Sequence, residues 1–105
     1  MNIIKRTFYS DPGHAWLKVG YNELVELGIE ADISPFSYRD GDDVYLEEDC
    51  DVGKYIVASN RNGIGINFDT ARTNDESIIR SYDRYYFTTE GDYFTVKTDE
   101  LLAGA

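Results

Sequence analysis

Residues 38–51 read Tyr38-Arg39-Asp40-Gly41-Asp42-Asp43-Val44-Tyr45-Leu46-Glu47-Glu48-Asp49-Cys50-Asp51, and the fold turns on whether this is a tail or a hairpin. Seven of the chain's twenty carboxylates fall between Asp40 and Asp51. A disordered acidic run would show no apolar spacing. Here Val44 and Leu46 alternate with Asp43, Tyr45 and Glu47, which is the period of a half-buried strand. Asp40-Gly41 is the dipeptide that a type I′ turn demands, because both central positions take positive φ. The stretch therefore predicts a folded acidic edge, with Val44 and Leu46 inward and a row of charge outward. Asp43 and Glu47 lie roughly 13 Å apart in that row with Tyr45 between them. Asp49 continues it, flanked by Glu48 and Asp51.

On the N-terminal side, Asn2 to Tyr9 is rich in β-branched and aromatic residues and ends at Ser10-Asp11-Pro12-Gly13, a type II turn signal with Gly13 at positive φ. Ala15, Leu17 and Val19 then alternate with Trp16 and Lys18, so these two strands form a first hairpin. Asn22 is positioned to cap a short helix over Leu24, Val25 and Leu27, and Gly28 to stop it in the left-handed conformation. About two turns of helix do not persist without packing on a sheet.

On the C-terminal side, Asp49 or Asp51 can cap a second helix whose Val52, Tyr55, Ile56 and Ser59 share one face, ending at Asn60-Arg61-Asn62-Gly63. Ile64, Ile66 and Phe68 alternate as the core face of the next strand, with Gly65 marking a close backbone approach. Asp69 to Ser77 is polar and aperiodic and predicts an exposed loop. Ile79 to Thr88 and Tyr93 to Lys97 read as strands joined at Glu90-Gly91, a third hairpin.

The 105 residues suit one domain, and 42% hydrophobic content with nine tyrosines is the composition of a chain that folds. Ten cations against twenty carboxylates leave a formal charge of −10, which repels phosphate backbones and anionic membranes. That sign argues against direct nucleic-acid binding and for a basic protein surface as partner, unless the charge serves only solubility. Cys50 is the only cysteine, so the chain has neither an internal disulfide nor a cysteine zinc site, as suits a reducing cytoplasm. No secretory signal or run of eighteen apolar residues is present.

Chemistry-bearing motifs are sparse. His14, the only histidine, follows Asp11 closely enough for a carboxylate-oriented general base, but no nucleophile motif accompanies it. Asp40-Gly41-Asp42-Asp43 lacks the ligand order of a calcium loop, and Gly63-Ile64-Gly65 lacks the third glycine of a dinucleotide fingerprint. Cys50 stands at a helix start, which lowers a thiol pKa, among Glu47, Glu48, Asp49 and Asp51, which raise it. Tyr82, Tyr85, Tyr86 and Tyr93 with Arg80 and Arg84 read as sheet cover or a protein interface, rather than a base-stacking platform.

Asp11-Pro12-Gly13-His14-Ala15-Trp16-Leu17 together with Val44 to Asp51 resembles small phage- and plasmid-encoded proteins of unassigned function. The resemblance covers the first half of the chain. It implies a mobile-element origin and, with it, an inhibitor of host defence of the anti-CRISPR or anti-restriction type, and it carries no catalytic residues across.

The expected architecture is α+β, a mainly antiparallel sheet of about five to seven strands built from three hairpins, with two short helices on one face. The expected function is a non-enzymatic, cytoplasmic interaction protein without cofactor or metal. It binds a basic, nucleic-acid-binding host protein surface through Asp40, Asp42, Asp43, Tyr45, Glu47, Glu48, Asp49 and Asp51, presenting fixed charge as a nucleic acid does. Two alternatives are a small hydrolase or metal-dependent enzyme using His14 and carboxylates, and a structural or oligomeric phage component.

Overall fold

A computed structural model of the chain describes residues 2–87. Among the described residues one sheet is built from β1 (Asn2–Ser10), β2 (Ala15–Gly20), β3 (Tyr38–Asp40), β4 (Asp43–Glu47), β5 (Ile64–Arg72) and β6 (Asp83–Arg84). The spatial order is β5-β1-β2-β4-β3-β6. With the helices α1 (Tyr21–Glu26) and α2 (Val52–Arg61), this is the α+β architecture that the sequence predicts. Every strand pair is antiparallel except β1 with β5. A parallel neighbour cannot be reached by a tight turn, and the chain passes through β2, α1, β3, β4 and α2 before β5 returns beside β1.

The β1–β2 hairpin forms in the register Ser10↔Ala15, but its turn is not type II, because Gly13 does not take positive φ. Asp11 shapes it instead. Its Oδ1 accepts from the amides of Gly13 (2.9 Å) and His14 (3.0 Å), a side chain standing in for a backbone turn bond. Space at position 13 is tight: a Cβ there would lie 3.0 Å from the Arg80 guanidinium.

α1 begins two residues earlier than Asn22 predicts. Gly20 is the N-cap, and the Glu23 carboxylate reaches back to accept its N–H at 2.6 Å, one half of a capping box. The predicted stop holds: Gly28 has φ 73° and the Ile29 amide donates to Leu24 O. Glu23 also accepts from Arg6 Nε and Nη2 and from the Tyr55 hydroxyl at 2.8 Å, which ties β1, α1 and α2 together. Burial opposes its charge, but Arg6, the Gly20 amide and Tyr55 outweigh that and hold its carboxyl below the usual range.

A folded value below the unfolded one contributes stability that is present above the unfolded pKa and lost as pH falls through the folded value. Glu23→Gln is therefore expected to cost about 1.5–3 kcal/mol at pH 7. The deficit should shrink below about pH 4, a difference that urea unfolding at pH 7 and pH 3 will show.

Both faces of the sheet are covered. On one, Leu17, Val19, Val44 and Leu46 pack against Leu24 of α1 and Val52 and Tyr55 of α2, so both helices lie on the same face as expected. On the other, Trp16, Tyr38 and Tyr45 form a second cluster with Ile79, flanked by Tyr9 and Tyr82. Ile79 belongs to a single 3-10 turn over Ile78–Ser81.

This second layer overturns two expectations. β4 lies between β2 and β3, so it is an interior strand and not an edge. The described part of the strand expected over 79–88 is not one long strand, since among residues 79–87 only Asp83–Arg84 pairs, with β3. The expected third hairpin beyond position 87 lies outside the described residues.

β5 also differs from its reading. It runs nine residues, so the first four positions of the predicted loop at 69–77 are strand. Pairing with β1 from Asn2↔Ile64 to Ser10↔Arg72 overrides the polar composition. Phe68, expected in the core, is 44% exposed because β5 is an outermost strand.

Candidate functional site

The β3–β4 hairpin turns through Gly41-Asp42, with Asp40 paired to Asp43. Gly41 has φ 61° and Asp42, like every described non-glycine residue, is not at positive φ, which is the sign pattern of a type II′ turn with glycine first, rather than type I′. Arg39 Nε donates to Gly41 O at 2.7 Å and holds the turn. Asp40 and Asp42 are exposed at the tip. Asp43 is half-buried and ion-paired to Lys18 at 3.6 Å, an exposed pair that contributes little.

Beyond Asp43 the expected outward row does not exist. Tyr45 is 7% exposed, its ring 6.2 Å from Tyr9 and 5.3 Å from Tyr82. Burial, with Tyr82, Asp43 and Asp40 nearby, pushes its hydroxyl pKa well up. Glu47, also 7% exposed, accepts from the amides of Asp49 (3.1 Å) and Cys50 (3.0 Å), closing the turn into α2.

Asp51 is fully buried and is the N-cap residue of α2, yet its carboxylate makes no cap bond to that helix. It accepts instead from Ser34 N (3.0 Å), Ser34 Oγ (2.7 Å), Lys54 Nζ (2.9 Å) and the Ser37 hydroxyl. The sequence signal for a cap is real, but the 34–37 loop offers hydroxyls that the helix end does not. Of the eight expected binding residues, Tyr45, Glu47 and Asp51 are thus internal. Asp40, Asp42 and Asp43 stand at one end of β4, and the exposed Glu48 and Asp49 just past the other, about 17 Å away along the strand.

His14 does not sit on Asp11. Asp11 is committed to backbone amides and to Arg80, whose Nε and Nη2 donate at 2.7 and 3.0 Å, and the carboxylate near His14 Nδ1 is Glu47 at 3.9 Å. That is beyond a hydrogen bond. Cys50 is exposed, and hydrogen bonding to Glu47 together with the Asp51 and Asp49 charges raises its pKa. A thiol held protonated is a poor nucleophile.

Among the described residues no three His, Cys, Asp or Glu side chains are placed to hold a metal ion. A groove of about 310 Å³ runs beside Glu47, walled by His14, Trp16, Phe36 and Tyr38. Arg80 and Arg84 lie over the Trp16 and Tyr38 rings at 5.2 and 5.1 Å. Tyr85 is fully buried, with its hydroxyl donating to Glu30 O, and Tyr82 packs against the second cluster, so these two tyrosines and the two arginines cover the sheet. Tyr93 lies outside the described residues.

A pattern missed by sequence reading is where the charges gather. β1, α2 and β5 hold Lys5, Arg6, Lys54, Arg61 and Arg72 against a single carboxylate, Asp69. The β3–β4 hairpin and the turn after it, at the opposite side of the sheet, hold the dense acids. Lys5, Arg6, Lys18, Lys54 and Arg80 all have a carboxylate partner, and Arg39 of β3 and Arg84 of β6 stand on the hairpin's own side of the sheet. The signal exists in the sequence as a cation-rich 52–72 segment, but only the β1–β5 pairing adds Lys5 and Arg6 to it.

No helix among the described residues is long and apolar enough to cross a membrane. Comparison with known proteins finds no matching family model, no matching curated protein and no matching solved structure.

Proposed function

We propose that the chain is a non-catalytic interaction protein of the phage or mobile-element kind, which docks its acidic side on a basic, nucleic-acid-binding surface of a host protein and blocks it. The observation that carries this is the pair of acidic groups, exposed Asp40 and Asp42 with half-buried Asp43 at one end of β4 and exposed Glu48 and Asp49 at the other. They are held apart by an interior strand whose Val44 and Leu46 are fully buried. Rigidly spaced charge is pre-organised, so little ordering cost falls on association. Exposed acids of this kind steer the approach to a positive surface.

The test uses four neutralising changes that leave the internal acids alone: Asp40→Asn, Asp42→Asn, Glu48→Gln and Asp49→Asn. All four side chains are exposed, so the thermal midpoint should stay close to wild type. Capture from bacterial lysate at low salt should retain basic nucleic-acid-binding proteins on the wild-type bait, and the quadruple variant should retain at least about tenfold less, as should wild type in high salt. Equal capture by both baits sinks the reading.

A further inference from the structure

The outer edge of β5 is unpaired among the described residues, and its construction points to an occupant. Nine residues, Ile64-Gly-Ile-Asn-Phe-Asp-Thr-Ala-Arg72, present a row of free backbone donors and acceptors. Such an edge is normally blunted by proline, lysine, a bulge or a covering segment. β5 contains no proline or lysine, and its pairing with β1 is unbroken over all nine positions. The ring at its centre, Phe68, rests on Phe8 with centroids 5.1 Å apart and is still 44% exposed.

We propose that β5 pairs antiparallel with β5 of a second copy of this chain, about a twofold axis through Phe68, so that one sheet runs through both subunits. In this register Phe68 faces its copy, Ile66 faces Thr70, and Ile64 faces Arg72 on one face of the sheet. On the other face Asn67 faces Asp69 and Gly65 faces Ala71. No charged residue opposes itself, and like charges directly opposite are what would disfavour such a ladder.

Electrostatics selects the same surface. With a net charge of −10, two copies repel through most approaches. Along β5 the only charge before Arg72 is Asp69, and Lys5 neutralises it at 3.5 Å. The two copies of Arg72 end up roughly 27 Å apart along the paired strands, well beyond a Debye length at physiological salt. The sheet order places the acidic β3–β4 hairpin of each copy at the outer end of the joined sheet, away from its counterpart. An isologous contact of this kind closes at two copies.

Sedimentation equilibrium of the full chain at physiological salt is the test. Wild type should be a dimer at about 100 µM, and Phe68→Lys, which sets two ammonium groups face to face on the axis, should weaken association at least about tenfold. Because Phe68 touches Phe8, Asn67→Asp is the companion variant, which sets a carboxylate opposite Asp69 of the other copy on both sides of the axis. The Asn67 side chain is exposed and pairs with Lys5 of β1, so the variant should keep the wild-type thermal midpoint and still be monomeric.

A wild-type chain that stays monomeric leaves the edge to some other occupant and overturns the proposal. So does a dimer that both variants leave intact, or a head-to-tail ladder that grows with concentration. None of these outcomes bears on the acidic docking surface, which the bait experiment tests separately.

Discussion

Replacing Asp11 by Asn is expected to lower stability by about 3–5 kcal/mol, the range for breaking a buried ion pair and leaving one partner uncompensated. The Asp11 side chain is 1% exposed and gathers donors from two distant parts of the chain. Oδ1 takes the Gly13 and His14 amides and Arg80 Nη2, while Oδ2 takes the Ser77 amide and Arg80 Nε. Asn keeps one oxygen but turns an amide group toward donors that need an acceptor.

The loss should be visible as a fall in thermal midpoint of at least about 12 °C, at about 4 °C or more per kcal/mol for a domain of this size. Arg80 lies over Trp16, so the second sheet layer should loosen first and the Trp16 fluorescence change should precede loss of helical signal. A D11N/R80M cycle apportions the pair, since removing both charges should cost less than the sum of the single changes.

Asp11 also sets an acid limit. The Arg80 hydrogen bonds, with the Ser77, His14 and Gly13 amides and against the cost of burial, hold its carboxyl far below the usual range. Because the folded value is depressed, its contribution is whole above about pH 4 and is lost progressively as pH falls further. Wild type should lose stability with falling pH more steeply than Asp11→Asn in that window. Parallel curves would show that the carboxylate is not the source.

The second large effect is expected at Asp51→Ala, with a loss of about 3 kcal/mol. Its fully buried carboxylate satisfies the backbone amide of Ser34, the hydroxyls of Ser34 and Ser37, and the Lys54 ammonium. Ser37 in turn accepts from the Glu47 amide at 2.9 Å through its Oγ, so the change propagates into β4. The neighbouring exposed acid Asp49 is the control: Asp49→Ala should stay within about 0.5 kcal/mol. Guanidinium unfolding of the two variants separates an acid that builds the fold from one that only faces solvent. A comparable loss at both positions would contradict that division.

The contrast between Asp49 and Asp51 shows where sequence reading runs out. Both stand in one acidic run before a helix, and both carry the composition of an N-cap. Asp51 is taken inside by Ser34 and Ser37, residues 17 and 14 positions earlier, and nothing in local patterning marks those serines as its partners. Glu47 shows the same limit. Its alternation with Val44 and Leu46 correctly gives the strand, yet the face it shares with Tyr45 is covered by Ile79 and Tyr82 from far along the chain. Period-two patterning distinguishes two faces of a strand. It does not tell whether the second face meets water or another layer.

For the acidic hairpin, the sequence by itself determined the strand, the turn position and the inward pair Val44 and Leu46, because these depend on side-chain alternation and on a glycine able to take positive φ. It likewise determined the β1–β2 hairpin, the glycine stop of α1 and the extent of α2, all governed by contacts within a few residues. Tertiary structure alone decided that β4 lies inside the sheet, that Asp11, Glu23, Glu47 and Asp51 are internal anchors, and that Lys5 and Arg6 come to lie beside β5. Those outcomes depend on pairings between positions tens of residues apart. Their partners are selected by which polar groups folding would otherwise leave buried and unsatisfied.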